Sequence, residues 1–346
     1  MQGDILEMDV RGRVLRHFST TRLPDKVFPE GAIPIDAGTI HHDVEELADG
    51  NLLALSTELR RFDDYPMSES DPTVPRGPRN VVGDVILEIA PDGTVVRRHA
   101  LLDILDPYRI GYESLDWGFW QGVYANDPAA PLADWAHVNS VFHDERHDAL
   151  IVSSYHQDAV FSLDRSTGAI RWMLAFPAGW GPQWTAKLLT PVGEGLYPFH
   201  QHAARITPHG TLLMFDNGKY RALPYVTPKT AEESFSRAVE FAVDEERMEF
   251  RQVWSYGGRP GEIFFTPFLG DVDWLPITRH VLITDGGRIR TPDGRPAIHP
   301  MQGQKWARVL EVTHETPARV VFELVLDDPA FGWTVYRSER LPSLYP

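Results

Sequence analysis

Along this chain, short runs of β-branched and other apolar residues alternate with Asp-Gly, Asn-Gly and Thr-Gly dipeptides, and amphipathic helical windows are scarce. Such runs specify consecutive antiparallel hairpins, because the dipeptides supply the positive φ that tight turns need. Asp84–Ala90, a Pro91-Asp92-Gly93 turn and Thr94–Arg98 form one predicted hairpin; Ala159–Asp164, Arg165-Ser-Thr-Gly168 and Ala169–Met173 form another. Each follows a strand pair that opens on a polar motif, so the unit is two inner and two outer strands. Units of this kind fall at about 41–99, 137–174, 201–256 and 270–326. Tandem four-stranded units are the blades of a β-propeller. The predicted fold is therefore all-β: one domain over 1–346, a six-bladed propeller, with five blades as the alternative.

The ends of the chain bear on closure of that ring. Asp4–Arg16 copies the outer hairpin that ends at Arg98 and so starts half-way through a blade. Its inner strands are expected from the C-terminal Trp333–Arg340, so that first and last segments share a blade and leave no free sheet edge.

The polar motifs themselves repeat. From His42 a glycine follows eight residues later (Gly50), then Leu52-Leu53; from His202 the same step reaches Gly210, then Leu212-Leu213. The other units offer His137-Val138-Asn139-Ser140 and Asp271-Val272-Asp273-Trp274. Imidazoles placed in register point to a shared central site. Strand alternation sends His41 and His200 to the opposite face, while His143, His147, His209 and His280 fall at turns or strand starts, where exposure is expected. Two stretches break the repeat: 100–136, with Trp117, Trp120 and Trp135, and 175–200, with Trp180, Trp184, Tyr197 and Phe199. Aromatic insertions on one rim would wall a pocket for an aromatic small molecule.

Composition narrows the partners. The 346 residues carry 33 Lys and Arg against 49 Asp and Glu, a net charge of −16 with no basic run. Nucleic acid and anionic membrane are thereby disfavoured. No apolar window approaches a membrane span, and Met1-Gln2-Gly3-Asp4 lacks the basic and apolar parts of an export signal. A cytoplasmic location is expected for the chain as it stands, or a periplasmic one if a signal has been removed. With no cysteine, disulfides, thiolate metal sites and cysteine nucleophiles are excluded. Oligomeric state is not legible.

His41-His42-Asp43 with Leu47-Ala-Asp-Gly-Asn51, Asp134–Ser140, Ile151-Val-Ser-Ser-Tyr-His156-Gln157, and Gln201-His202 leading to Phe215-Asp216-Asn217-Gly218 together resemble the arylsulfate sulfotransferases that work without the nucleotide donor PAPS. Tyr336–Tyr345 is similar to that family's ending, and the resemblance covers nearly the whole chain. It implies a six-bladed propeller that moves a sulfuryl group from one phenol to another through a sulfohistidine, with no cofactor. Carried over by motif, His202 is the histidine that becomes sulfated. A neutral imidazole is a good nucleophile near pH 7, and a covalent intermediate splits one transfer into two steps. His42 and His137 match the other active-site histidines, as proton donors to the bridging phenol oxygen or stabilisers of the sulfuryl oxygens. Asn139 is placed to fix an imidazole or hold a sulfuryl oxygen; His41, His156, Trp117, Trp120 and Phe199 join the substrate-facing set.

One departure stands out. Tyr155 occupies the place of arginine in the family's Ser-Ser-Arg-His-Gln, and that arginine neutralises the sulfuryl group. A tyrosine donates a hydrogen bond without charge, so the lost stabilisation amounts to several kcal/mol in a dry site. Arg221 and Arg337 are the candidate substitutes. Two alternatives stay open: a lyase or hydrolase acting on an aromatic substrate with Tyr155 as acid/base, its metal (Zn²⁺, Mn²⁺ or Fe²⁺) held by His42, His137 and His202; and a ligand-binding propeller without catalysis.

Overall fold

A computed structural model describes residues 3–193, 195–341 and 343; Met1, Gln2 and the Leu344-Tyr345 end of the terminal motif lie outside the described residues. The chain is nearly all β, in five sheets. The first is β1 (Asp4–Met8), β2 (Val14–Thr20) and β3 (Ile33–Ile35) in that order. The second holds β4 (His41–Glu46), β5 (Leu52–Tyr65), β6 (Gly77–Ile89) and β7 (Val95–Ala100), with β8 (Leu132–Asp134) parallel to the far end of β6. The third runs β9 (Val138–Asp144), β10 (Ala149–Ser154), β11 (Ala159–Asp164) and β12 (Ile170–Ala175). The fourth is β14 (His202–Ile206), β15 (Leu212–Asp216), β16 (Arg237–Asp244) and β17 (Glu249–Tyr256), joined on its outer edge by the two-residue β13 (Thr190–Pro191). The last holds β18 (Asp271–Leu275), β19 (His280–Arg290), β20 (Gln304–Thr313) and β21 (Val320–Leu326). The four complete up-and-down sheets coincide with the four units read from the pattern.

Two compact units divide the residues: Met1–Gln157, Ser162–Arg171 and Ala178–Ala186 in one, Asp158–Phe161, Trp172–Pro177 and Lys187–Pro346 in the other. In the first, Phe18 and Ile35 of the opening sheet bury against Leu52, Ala54, Val85, Leu87 and Ile89 of the second. In the second, Leu213, Phe215, Trp254 and Tyr256 bury against Val272, Val281, Ile283, Leu310 and Val312. Each of these cores joins one sheet to the next through alternate residues of a strand, such as Val85, Leu87 and Ile89 or Val281 and Ile283.

The C-terminal segment departs from expectation. Among the described residues none after Leu326 lies in a strand, and the position beside β2 expected for Trp333–Arg340 is taken by β3, parallel to it. Trp333–Arg340 instead docks on the last sheet. Val335 N donates to Gly286 O at 2.9 Å, the Thr284 and Ser338 hydroxyls meet at 2.5 Å, and Arg340 reaches Glu311. Gly286 permits this, since a Cβ there would sit 1.8 Å from the Val335 oxygen. The β19–β20 register breaks at the same point, between Asp285 and Arg288, so the segment meets a bulge and not a ladder edge.

Candidate active site

The repeat has a structural counterpart at the start of each inner strand. Gly50, Asp148, Gly210 and Arg279 all hold positive φ (84°, 45°, 83° and 59°) in the turn that leads into the second strand. Opposite the residue five positions after each of these stand His41 (facing Leu55), Ser140 (Ser153), His202 (Phe215) and Asp271 (Thr284). Strand pairing thus places His41, and not His42, at the position of His202. The reason is a bulge that is one residue longer in β4: His41 to Val44 spans a single step on β5, whereas His202 to Arg205 spans two on β15. His42 sits inside that bulge with φ 54°, and its counterpart in β14 is Ala203, with φ 55°. The left-handed residue also cancels alternation, so His41 and His42 do not face apart. Their Nδ1 atoms lie 2.8 Å from each other.

Around these two residues the first unit assembles an array of imidazoles. His42 packs on His137 (ring centroids 4.8 Å apart) and on Phe119 (4.9 Å); His137 packs on His156 (4.8 Å) and Tyr155 (5.6 Å). Trp120, fully buried, meets the edge of His41. The insertion between β7 and β9 supplies Phe119 and Trp120 from a single 3₁₀ turn, Gly118–Trp120, so it does wall the array. Trp117 lies at the surface two residues earlier, and Phe119, 42% exposed, makes the contact instead. Asn139 is buried at the start of β9.

Hydrogen bonds assign the ring protons. His41 Nε2 faces the Ser56 carbonyl at 3.1 Å and must donate to it. A neutral His41 then accepts at Nδ1 from His42 Nδ1–H. His156 Nδ1 likewise donates to Asp134 O at 2.5 Å. His137 differs, because its Nδ1 meets the Asp134 carboxylate, also at 2.5 Å. Burial pushes His41 and His156 down to about 4, so both are neutral at pH 7. Burial opposes charge on His137 too, but the Asp134 anion outweighs it and raises the imidazole above its ordinary value. Asp134, despite burial, is held below the usual carboxylate range by His137. Asp84, 3.5 Å from His41 Nε2, is pushed up to about 8 by burial and then by the Asp134 charge. The Asp134–His137 ion pair therefore lies beside two imidazoles, of His41 and His156, that burial holds neutral. Neither aspartate was singled out from the sequence; the signal for Asp134 was its place three residues before His137 in the quoted motif.

The second unit holds the remaining candidates. His202 is buried at the start of β14, its Nδ1 2.7 Å from Asn217 Oδ1. His200 is fully buried and pairs with Asp158 at 2.8 Å, a contact beneath the strand entry. Phe199 acts through its backbone, donating to Asp216 Oδ1 at 3.0 Å and accepting from Gly218 N at 2.9 Å. Arg221 is buried and committed: it donates to Asp216 Oδ2 at 3.1 Å and to Phe235 O at 2.9 Å, and Arg237 shares the same carboxylate. Arg337 lies 3.9 Å from Asp271. A cation overlooked in the sequence is Lys219, 4% exposed, two residues past Asn217. Of the histidines expected at the surface, His147 and His209 are exposed; His143 and His280 are half-buried and paired with Asp148 and Glu311.

The family model for arylsulfotransferase (ASST) matches residues 1–337. This chain belongs to the arylsulfotransferase family. Among similar arylsulfotransferases, the arylsulfate sulfotransferase AssT of Escherichia coli O6:H1 (strain CFT073) is 31% identical over 296 residues, 74% of this chain and 47% of that protein. AssT of Lelliottia amnigena is 32% identical over 298 residues, 75% of this chain and 47% of its own. The chain thus spans about half the length of the curated arylsulfotransferases it matches. Solved structures are more distant. A protein of unknown function from Bacteroides caccae aligns over 69% of this chain and 68% of its own at 12% identity and TM-score 0.27. A 6-phosphogluconolactonase assignment from Bacteroides fragilis aligns over 94% and 95% at 8% identity and TM-score 0.29. Neither bears on the fold or the chemistry. Among the described residues, no helix is long and apolar enough to cross a membrane.

Proposed function

We propose that this arylsulfotransferase-family protein moves a sulfuryl group between phenolic compounds through a covalent intermediate on His202, on a β-propeller of six blades, five being the alternative. The four complete up-and-down sheets support a propeller. In the first half-reaction the His202 lone pair attacks sulfur, the bond from sulfur to the aryl oxygen breaks, and the departing oxygen takes a proton from His137. In the second, an acceptor phenol returns its proton to His137 and attacks the sulfur, which frees His202. The observation that carries this reading is the Asp134–His137 pair: one imidazole raised in pKa by a carboxylate, among imidazoles held neutral by burial. A phenol titrates near 10, so a phenolate leaving at neutral pH needs such a proton. His42 packs against the His137 ring, and Asn139 supplies a sulfuryl-oxygen contact, Tyr155 a neutral donor in place of arginine, and Phe119 an aromatic wall. No cofactor is required. Intact mass after exposure to a phenyl sulfate should show one added sulfuryl group in wild type and none in His202→Ala. A wild type that gains none and turns over no aryl sulfate defeats the proposal.

One observation favours a second reading, a metal-assisted lyase or hydrolase. Ligand atoms of Asp134, His137 and His156 lie within 4.8 Å of one another, a two-histidine, one-carboxylate set different from His42, His137 and His202. The fit is incomplete, because the Asp134 carboxylate already accepts from His137 Nδ1 and His156 Nδ1 is spent on the Asp134 carbonyl, so a metal would compete with both contacts or take the Nε2 atoms. Metal analysis of the purified protein, with and without chelator treatment, separates the two readings.

A further inference from the structure

We propose that Asn217 selects which nitrogen of His202 reacts and keeps that ring uncharged at rest. The inference rests on the reading of His202 as nucleophile. Asn217 is fully buried, and its Nδ2 lies 2.8 Å from Thr266 O and 2.6 Å from Leu269 O. Carbonyl oxygens only accept, so the amide must turn both hydrogens toward them and its oxygen toward His202. The backbone is held as well. Ser236 Oγ donates to Asn217 O at 2.7 Å and accepts from Thr266 N at 2.8 Å, while Leu269 holds φ 59°, an uncommon conformation for leucine. Oδ1 therefore meets His202 Nδ1 at 2.7 Å as an obligate acceptor. His202 must carry its proton on Nδ1, and its lone pair on Nε2.

The identity of the partner sets the role of the ring. His137 faces a carboxylate and is held toward the cation; His202 faces an amide, which accepts a hydrogen bond without drawing a second proton onto the ring. When Nε2 forms its bond to sulfur and the phenol oxygen leaves with the electron pair, the Nδ1 proton stays in place. The product is an imidazolium bearing an anionic sulfo group. Asn217 Oδ1 then supports the positive ring through a charge-assisted hydrogen bond but is too weak a base to remove the proton. The sulfur–nitrogen bond remains labile toward the acceptor.

Nitrogen-15 histidine labelling with two-bond proton correlations reads the tautomer directly, the His202 signals being those lost in His202→Gln. An Nδ1–H, Nε2-lone-pair pattern between pH 6 and 8 is expected; an Nε2–H tautomer, or a cation in that range, overturns the proposal. Asn217→Asp should move the acid limb of the transfer rate upward by about one pH unit or more, because a carboxylate raises the His202 pKa; an unmoved limb in a folded variant also overturns it. The wild-type spectrum needs no Asn217 variant to fold. Should the Nδ1–H tautomer be present while no aryl sulfate labels His202, the amide lock stands and the sulfuryl-transfer reading fails.

Discussion

Asp84 offers a test of the buried array that does not depend on knowing the substrate. It lies in the middle of β6, 2% exposed, and burial followed by the Asp134 charge lifts its pKa from 3.8 to about 8. A carboxyl raised in this way keeps its proton in the folded state while the unfolded chain releases it above about pH 4. Stability is then fully present below the unfolded value and is lost as pH rises through the folded one. Asp84→Asn keeps the shape and removes the titration. At about 1.4 kcal/mol per pH unit, the variant should gain roughly 3–4 kcal/mol on wild type between pH 5 and pH 8. His41 and His156, depressed to about 4, act with the opposite sign between about 4 and 6.5. They do so in both proteins and cancel in the comparison. Urea unfolding of both proteins at the two pH values, followed by tryptophan fluorescence, gives the difference. If the stability gap between variant and wild type is the same at pH 5 and pH 8 within about 0.5 kcal/mol, Asp84 ionises normally in the fold and the account of a dry array around His41 is wrong.

Three further outcomes follow from the same geometry. Asp134→Asn removes the anion that raises His137, so the alkaline limb of the transfer rate should move to lower pH and kcat should fall by about 10²–10⁴; the stability lost should be greatest between the ordinary values of 3.8 for the carboxyl and 6.5 for the imidazole, where both partners are charged, and should shrink as Asp134 protonates at lower pH or His137 loses its proton at higher pH. Tyr155→Phe keeps the ring contacts with His137 and His156 and deletes only the hydroxyl; kcat should drop by about ten- to a hundredfold at unchanged Tm, and an unaffected kcat assigns Tyr155 to packing. Arg221→Met strips one of two guanidinium partners from buried Asp216 and should cost about 2–4 kcal/mol in chemical denaturation with kcat retained; collapse of kcat without loss of stability would make Arg221 the missing sulfuryl cation.

The strand architecture was legible because half-buried strands print their period on the sequence. The unit read at 201–256 is bounded by His202 and Tyr256, and the one at 41–99 by His41 and Ala100. What escaped is what a single backbone residue decides. The left-handed φ of His42 brings His41 and His42 to one side, and the extra residue in the β4 bulge shifts the histidine equivalent to His202 by one position. Counting along the chain does not see it, because the extra residue lies in the bulge while the Gly50 turn and the Leu52-Leu53 pair stay in step with their counterparts. The C-terminal segment failed for a related reason. Trp333–Tyr336 has strand composition, yet its docking is set by a missing Cβ at Gly286, a feature of the surface it meets and not of its own pattern.

The charges show the deeper limit. Histidines could be picked out as candidates, but an imidazole has no role until its second nitrogen has a partner, and those partners are Asp134 for His137 and Asn217 for His202. Each lies in a quoted motif, one three residues before its histidine and the other fifteen after, and neither spacing announces the contact. In the proposed mechanism, acid and nucleophile are the same side chain. They are told apart by whether a carboxylate or an amide faces Nδ1, and in Asn217 even the direction of the amide is set by two carbonyls, of Thr266 and Leu269, far along the chain. The missing family arginine is to be weighed in those terms. With Arg221 tied to Asp216, the proposed transfer would draw positive charge from a proton placed by a partner, as on His137, from Arg337 near Asp271, or from the buried Lys219 two residues past Asn217. Lys219→Met at constant Tm tests the last of these: a fall in kcat of a hundredfold or more assigns the charge to Lys219, and a retained kcat removes Lys219 from the set.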